Sequence, residues 1–344
     1  MNNRKLCIAL VVSKWHLYGL EAYLLENNIN SQNTDIHIFI AYHEPSRAYR
    51  VSESDFKVID SKKSSINYIK SSNEIFSYIQ RNNLVKEKEV LLLNPLEIPL
   101  KLIFKLYKAK VKKLDIHILD EGMGTYVSKK IWNQSTENQK ISKDNRLKKE
   151  LKKYIGIILQ IVIKPNRHFL YNVERGKLSL NCNIANSYKN YFKVLRSDES
   201  KIDEIQNGDI LLVSDNLSFI CKSKTDEIKQ YQNIVNALRD KYPNKKIFLK
   251  PHPNELNELS KFNSLNSISI LDRKISFEDL VNNNKIDYIM GFCSTSLLTG
   301  KSLFNKECYC LNLLLDNSLL SDFGKEYTKY FLDLIEDIGI KRFS

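Results

Sequence analysis

Long hydrophobic runs are missing from this sequence of 344 residues. No apolar stretch approaches the roughly 20 residues that a helix needs to cross a bilayer. Residues 6–12 are apolar and follow two basic residues, as in a secretory signal, but the run is short and residues 13–16 provide no small-residue cleavage site. The sequence therefore argues against a transmembrane helix, and we expect residues 6–12 to form a first strand.

Cysteine spacing of the kind found in disulfide frameworks and zinc sites is also missing. The six cysteines lie mostly inside apolar runs, and Cys308 and Cys310 fall on one face of a predicted strand, where a pair of core thiols is the simpler interpretation. No metal site is predicted. A reducing cytoplasm fits this cysteine usage best.

Signatures of nucleic-acid binding, such as zinc fingers or RNP motifs, are absent although the chain is basic. Lys and Arg number 53 against 40 Asp and Glu, which gives a formal net charge of +13. Such an excess favours an anionic partner. Because the charges are spread over mixed segments, we expect a nucleotide or an anionic membrane surface rather than nucleic acid.

What the sequence does contain is an alternation of short apolar runs and helical segments. In the first part of the chain the pattern predicts strands at 6–12, 36–41, 56–59, 90–93 and 114–119, and helices at 13–28, 73–81 and 100–110. In the second part it predicts strands at 210–213, 246–249, 268–271, 286–290 and 307–315, and helices at 224–241, 276–280 and 325–338. Such alternation is typical of α/β domains with mainly parallel sheets.

The chain is long enough for two such domains, each with its own core. We predict a Rossmann-like domain over residues 1–205, a second over 206–320, and a central cleft that both domains face. A C-terminal helix is expected within 321–344, and packing back on the first domain is one arrangement open to it. Residues 142–165 form a basic amphipathic segment, which is either a membrane-surface helix or a core helix with a solvated lysine face.

Two adjacent carboxylates end the predicted strand at 114–119. Asp120 and Glu121 are followed by Gly122, which allows the backbone to turn tightly. A carboxylate at a strand end can supply a general base in a cleft, whereas the simpler interpretation is an acidic turn.

A histidine between two prolines follows the predicted strand at 246–249. Pro251 and Pro253 favour an extended backbone around His252. Ligands of open α/β sheets collect at the carboxyl ends of the strands. His252 is therefore a candidate ligand-binding residue, with a solvated turn as the alternative, and Lys250 adds positive charge beside it.

Small residues and hydroxyls follow the predicted strand at 286–290. The run from Gly291 to Ser294-Thr295-Ser296 can present N–H and hydroxyl groups to a phosphate at the start of a helix. Ser214 lies in the loop after the strand at 210–213. These two loops are candidate parts of the same binding site.

Taken together, the short motifs resemble those of one family. Asp120-Glu121-Gly122, His252-Pro253 and Ser294-Thr295-Ser296 resemble, in order and in setting, the motifs of bacterial sialyltransferases of the lipooligosaccharide and capsular polysialyltransferase type. Residues 12–22 resemble the first strand–helix unit of that family, and Phe277-Glu278 resembles a further element. The resemblance extends from about residue 6 to about residue 300.

This resemblance implies a GT-B fold and inverting transfer of sialic acid, or a related nonulosonic acid, from its CMP ester without an obligatory metal or other cofactor. By this resemblance Asp120 would be the general base, Glu121 would orient Asp120 or its loop, and His252 would protonate or hydrogen-bond the departing phosphate. The implied donor-binding set comprises Lys250, Pro253, Glu278, Ser294, Thr295, Ser296, Ser214 and Gly291, with Glu278 on the ribose hydroxyls.

The implied acceptor is an oligosaccharide or glycolipid of the bacterial surface. The enzyme would be cytoplasmic, and peripheral on the inner face of the plasma membrane if residues 142–165 bind anionic lipid. Two alternatives stay open. One is another CMP-releasing GT-B transferase, such as a CDP-glycerol glycerophosphotransferase, and the other is a non-catalytic glycan- or membrane-binding protein on the same scaffold.

Overall fold

The fold was analysed in a computed structural model. It describes residues 4–41, 51–86, 88–94, 100–122, 126, 165–170, 182–196, 202, 204–215, 217–252, 259–263, 265 and 268–343. The predicted basic segment at 142–165, apart from its last residue, and Pro253 lie outside these residues.

Contacts divide the chain into two compact units. Unit 1 comprises Met1–Pro45, Arg50–Glu121 and Ser142–Tyr191, and unit 2 comprises Ser46–Tyr49, Gly122–Ile141 and Phe192–Ser344. Each unit contains a parallel sheet with helices, which confirms the predicted α/β class. The predicted domain limits at 205 and 320 stay a prediction.

Unit 1 is built on a seven-stranded parallel sheet with the strand order β3-β2-β1-β4-β5-β6-β7. Its strands are β1 (Lys5–Val11), β2 (Thr34–Ala41), β3 (Ser65–Ile69), β4 (Glu89–Asn94), β5 (Lys113–Leu119), β6 (Asn166–Phe169) and β7 (Cys182–Asn183). Its helices are α1 (Lys14–Glu26), α2 (Ser72–Arg81), α3 (Leu100–Lys108) and the first part of α4 (Ala185–Leu195).

The first strand and helix follow directly from their residues. β1 is almost entirely buried, as its continuous apolar run predicts for a strand that is covered on both faces. Ser13 then caps α1, since its side chain accepts a hydrogen bond from the backbone N–H of His16. β1 pairs with β2 on one side and with β4 on the other, so the order of connection reverses between β1 and β4.

The predicted strand at 56–59 is wrong, and β3 forms at Ser65–Ile69 instead. The backbone N–H groups of Lys57, Val58 and Ile59 all donate to one carboxylate oxygen of Glu21, at 2.8, 2.8 and 3.1 Å. Glu21 is fully buried on α1. Three successive N–H groups that point at one oxygen cannot also donate to a neighbouring strand, so this segment folds as a loop around the carboxylate.

Unit 2 contains a six-stranded parallel sheet with the strand order β10-β9-β8-β11-β12-β13. Its strands are β8 (Ile210–Val213), β9 (Ile247–Lys250), β10 (Ser269–Ile270), β11 (Tyr288–Gly291), β12 (Glu307–Cys310) and β13 (Lys341–Arg342). Its helices are α5 (Lys224–Lys241), α6 (Phe277–Asn283), α7 (Thr295–Ser302), α8 (Asp322–Ile338) and the end of α4.

The strand predicted at 307–315 is shorter than expected, because β12 ends at Cys310 and residues Asn312–Leu314 form a 3-10 turn. The buried side chain of Asn312 donates to the carbonyl of Thr328 on α8. Because Asn312 turns towards this carbonyl of α8, the extended conformation ends before residue 312.

The core of unit 2 lies where α5 packs on the sheet. Tyr231, Ile234 and Leu238 of α5 are fully buried against strands such as β8 and β9. In the described part of the chain, no helix is both long enough and apolar enough to cross a membrane.

Candidate functional site

The carboxyl ends of the central strands of unit 2 meet at the point where the strand order reverses. From β8 the chain continues to β9 and β10 on one side of the sheet, and then returns to β11 and β12 on the other. The crevice outside such a reversal is where open α/β sheets bind ligands. The loops that leave β8, β9 and β11 carry Ser214, His252 and Ser294 respectively.

The backbone of His252 is held by Ser214. The N–H of His252 donates to the Ser214 hydroxyl at 2.7 Å. Ser214 is fully buried, and its own N–H donates to the carbonyl of Lys250 at 3.0 Å, which extends the pairing of β8 with β9 by one residue. The predicted histidine and serine therefore lie in adjacent loops, with His252 half-buried.

The hydroxyl loop begins a helix, as the sequence indicates. Ser294 is the N-cap of α7, and its hydroxyl accepts a hydrogen bond from the N–H of Ser296 at 3.3 Å. Gly291 ends β11, and Thr295 is the first residue of α7. The helix therefore starts with a cluster of hydroxyls and with the positive end of its dipole.

Gly122, the third residue of the acidic motif, packs against this loop within unit 2. Its φ of +92° is a left-handed conformation, which glycine adopts without strain. A Cβ atom added there would lie 2.6 Å from both Oγ1 and Cγ2 of Thr295. Both the conformation and the close approach explain why the position requires glycine.

Two predicted donor-binding residues, Lys250 and Glu278, are buried in unit 2. The Lys250 ammonium donates to the carbonyls of Pro251, at 3.1 Å, and Arg273, at 3.3 Å. Burial raises the pKa of Glu278 to about 7, and the adjacent Asp279 adds to the shift, while Lys250 opposes it. Glu278 is therefore a carboxyl group that changes charge near neutral pH.

An ion pair anchors the first turn of α6 and so fixes the backbone that carries Glu278. The Arg196 guanidinium binds both carboxylate oxygens of Asp279, at 2.6 and 3.0 Å, and both side chains are buried. The Ser276 hydroxyl caps α6 by accepting a hydrogen bond from the N–H of Asp279. It also donates a hydrogen bond to the Asp279 carboxylate. Ser276 and Asp279 have the spacing of a helix N-terminus, but no sequence pattern connects Asp279 with Arg196, which lies 83 positions away.

Asp215 is a second residue that sequence reasoning missed. One of its carboxylate oxygens accepts the backbone N–H of Cys293 at 3.0 Å, immediately before Ser294. Its position after the apolar run of β8 was a usable signal, since carboxylates at strand ends near a reversal of strand order lie close to ligand sites.

In unit 1, Asp120 lies at the carboxyl end of β5. It is fully buried and accepts the backbone N–H of Leu170, which follows β6, at 3.1 Å. Glu121 is half-buried beside it. The strand-end position predicted for this acidic pair is therefore observed, with one carboxylate oriented by a hydrogen bond.

Two histidines in unit 1 form a cluster that the sequence did not indicate. The rings of His117 and His168 stack with centroids 5.0 Å apart and share a hydrogen bond of 2.8 Å, while the Tyr23 hydroxyl lies 2.9 Å from His117 Nδ1. Burial lowers the pKa of His168 to about 4, and His117 contributes to the shift. The pairing of His117 with His168 could not be predicted, because the strand that carries His168, β6, was not expected from the sequence.

Groups of three or more His, Cys, Asp or Glu side chains with the geometry of a metal site do not occur among the residues that the structure describes. The described loops of unit 2 carry an imidazole, hydroxyls, a helix N-terminus and a carboxylate.

The fold matches solved structures of sialyltransferases and of MnaA over nearly the whole chain. A Photobacterium damselae sialyltransferase, described as its GT-B domain, is 13% identical with a TM-score of 0.55 and covers 99% of this chain and 100% of its own. A 2,6-sialyltransferase from a Photobacterium species, solved with CMP and lactose, is 14% identical with a TM-score of 0.56 and covers 98% and 78%. Staphylococcus aureus MnaA with UDP is 12% identical with a TM-score of 0.54 and covers 99% and 100%.

These matches show that the chain has the GT-B fold, which the sequence predicted, and the fold alone does not separate transferases from MnaA. A search of proteins with curated function found no match. The distinction comes from the sequence profile of the alpha-2,8-polysialyltransferase family (POLYST), which matches residues 7–312. Since this match spans most of the chain and all three motifs, the protein belongs to the alpha-2,8-polysialyltransferase family and is a glycosyltransferase that transfers sialic acid.

Proposed function

We propose that this protein transfers sialic acid, or a related nonulosonic acid, from its CMP ester to a hydroxyl of a surface oligosaccharide or glycolipid with inversion at the anomeric carbon. The observation that carries the proposal is the meeting of the His252 loop, the Ser214 loop and the Ser294 loop at the reversal point of the sheet in unit 2. The Photobacterium 2,6-sialyltransferase of the same fold was solved with CMP and lactose, which supports this donor and acceptor class.

The donor phosphate gains negative charge as its bond to the sugar breaks. His252 donates a proton or a hydrogen bond to the departing CMP phosphate. Ser294, Thr295 and Ser296 bind the same phosphate through hydroxyl and N–H groups at the positive end of α7. Gly291, at the end of β11, leads the chain into this loop.

The remaining donor contacts come from the neighbouring strand and helix. Glu278 accepts hydrogen bonds from the ribose hydroxyls, and the buried Lys250 adds positive charge next to it. Pro253 restricts the backbone after His252. Together these groups recognise a cytidine monophosphate without a metal ion or other cofactor.

The acceptor hydroxyl needs a base because it attacks as it loses its proton. Asp120 takes that proton, and the hydrogen bond from Leu170 holds its carboxylate in one orientation. Glu121 orients Asp120 or its loop. Attack on the face opposite the departing CMP inverts the anomeric carbon in a single displacement.

The reaction takes place on the cytoplasmic side of the cell, with the enzyme bound peripherally to the anionic inner face of the plasma membrane. The formal charge of +13 supports such an association.

The experiment measures release of CMP from CMP-sialic acid in the presence of EDTA, with a panel of galactosides and sialylated galactosides as acceptors. Wild type, Asp120→Ala and His252→Ala are compared with Asp115→Asn, a matched control on the same strand as Asp120 whose side chain forms an exposed pair with Lys113. We expect acceptor-dependent CMP release in wild type and the control, and a fall of at least about 100-fold in both alanine variants.

Loss of CMP release on addition of EDTA would overturn the metal-free mechanism. Full activity in Asp120→Ala would remove the assigned base, and full activity in His252→Ala would remove the assigned acid. Absence of both turnover and saturable CMP binding in wild type would overturn the proposed donor.

A further inference from the structure

We infer that Ser214 and Asp215 form a two-residue clamp that fixes the distance between the His252 loop and the Ser294 loop. Ser214 and Asp215 are thus positioning residues for the transfer of sialic acid. This inference rests on the proposed function, in which these two loops hold the departing phosphate from two sides. It assigns a role to Asp215, and it gives the buried Ser214 a role beyond contact with the donor.

The position of β8 in the sheet makes such a clamp possible. β8 pairs with β9 on one side and with β11 on the other. His252 follows β9, and Ser294 follows β11. A residue at the end of β8 is therefore the direct neighbour of both loops. β9 and β11 are not neighbours, because β8 lies between them.

Ser214 makes the contact on the β9 side. Its hydroxyl accepts the backbone N–H of His252 at 2.7 Å, and its own N–H continues the ladder to Lys250. With no exposed surface, Ser214 keeps its hydroxyl in a fixed place. This hydrogen bond therefore fixes the position of the His252 backbone relative to the carboxyl end of β8.

Asp215 makes the contact on the β11 side. Its carboxylate accepts the N–H of Cys293 at 3.0 Å, one residue before the N-cap of α7. Two adjacent residues at the end of β8 therefore contact the two neighbouring loops, Ser214 on the β9 side and Asp215 on the β11 side.

Tyr231 fixes the clamp itself. Its hydroxyl accepts the N–H of Asp215 at 3.0 Å and donates to the carbonyl of the same residue. Tyr231 is fully buried on α5, where it packs edge-on against Phe262 and Phe292. The clamp is thus anchored in the core of unit 2 rather than in a surface loop.

Both clamp bonds are made to backbone N–H groups. Neither bond uses the imidazole of His252 or the hydroxyls of Ser294, Thr295 and Ser296. The clamp therefore orients the groups that are proposed to meet the phosphate without competing for them. Misplacement of such groups by about 1 Å costs on the order of 100-fold in rate.

The kinetic test compares Ser214→Ala, Asp215→Ala and Asp215→Asn with two matched controls at exposed positions, Ser77→Ala and Asp240→Ala. We expect kcat to fall by about 10- to 100-fold in the two alanine variants at clamp positions, with a smaller change in the dissociation constant of CMP. Asp215→Asn keeps an oxygen that can accept the Cys293 N–H, so we expect it to recover most of the activity. Equal kcat in clamp and control variants would overturn the inference.

A second readout works without turnover. In hydrogen–deuterium exchange, Ser214→Ala should speed exchange at the amide of His252, and Asp215→Ala should speed it at Cys293, each without the other. If wild type releases no CMP, the proposed function fails, and this exchange pattern still tests the clamp. Unchanged exchange at both amides, or a uniform increase over unit 2, would overturn it.

Discussion

Glu278 is a buried carboxyl group whose ionisation the fold opposes. Burial raises its pKa from 4.5 to about 7, so between these pH values the folded chain binds a proton that the unfolded chain has released. The contribution to stability is present below pH 4.5 and is lost as pH rises through 7.

We predict that wild type loses about 2 kcal/mol of unfolding free energy between pH 5 and pH 8 through this group, and that Glu278→Gln does not. Urea unfolding at the two pH values measures the difference, with Glu26→Gln at an exposed position of α1 as control. The same slope in wild type and Glu278→Gln would show that Glu278 is already ionised in the folded chain.

His168 has the opposite effect on stability. Burial beside His117 lowers its pKa from 6.5 to about 4, so the unfolded chain binds a proton that the folded chain does not. Stability is therefore lost as pH falls from 6.5 towards 4. The Tyr23 hydroxyl also lies within hydrogen-bond distance of His117 Nδ1, and Asn166 contacts His117 Nε2 on the other side of the ring.

We predict that His168→Gln reduces the loss of stability between pH 7 and pH 5 by about 1 kcal/mol, after allowance for the part of the ring that is exposed. The measurement is the thermal or urea midpoint at both pH values. A variant that is as sensitive to acid as wild type would contradict the assignment of this loss to His168.

The roles of single residues could be predicted from the sequence only in part. Asp120, His252 and Ser294 were predictable because each follows an apolar strand at the edge where ligands bind. Glu21 and Arg196 were not, since their roles depend on partners that are far away in sequence. Asp215 has the same strand-end signal, but its partner Cys293 lies 78 positions away. Arg196 and Asp279, for example, are separated by 83 positions.

At the scale of elements, the end of α4 and the start of α6 depend on the buried ion pair of Arg196 with Asp279. Both side chains lie in the interior, so removal of one charge leaves the other buried without compensation. Asp279 also receives the Ser276 hydroxyl, which ties the N-cap of α6 into the same group.

We predict that Asp279→Asn lowers the unfolding free energy by about 3–5 kcal/mol. The matched control is Asp322→Asn at the first turn of α8, where the pair with Lys325 is exposed and a change below about 1 kcal/mol is expected. Denaturant unfolding followed by circular dichroism compares the two. Similar small losses in both variants would contradict a structural role for the pair.

Most of the longer elements could be predicted, whereas two of the two-residue strands could not. Central strands such as β1 are continuous apolar runs, and α1 and α5 begin after the capping serines Ser13 and Ser223. β7 and β13 have two residues each, too few for any period to appear. The segment at 56–59 has the apolar pattern of a strand, but Glu21 takes the N–H groups that a sheet would need.

At the scale of the whole molecule, the excess of basic residues has a testable consequence. We predict that the protein binds vesicles containing anionic lipid, that it does not bind neutral vesicles, and that binding is lost as salt rises from about 0.1 M to about 0.5 M because screening shortens the range of attraction. Cosedimentation measures this. Binding that is unaffected by salt, or equal on neutral vesicles, would contradict an electrostatic association.

The course of the chain between the two units also has a consequence. The division falls inside α4, between Tyr191 and Phe192, and Gly122 and Tyr126 belong to unit 2 although parts of unit 1 precede and follow them in sequence. Tyr191 donates to Glu21 in unit 1, whereas the carbonyl of Phe192 accepts from Asn282 in unit 2. No single cut in the gene therefore yields two self-contained halves, and recombination that exchanges donor specificity between relatives would have to carry several separate segments together.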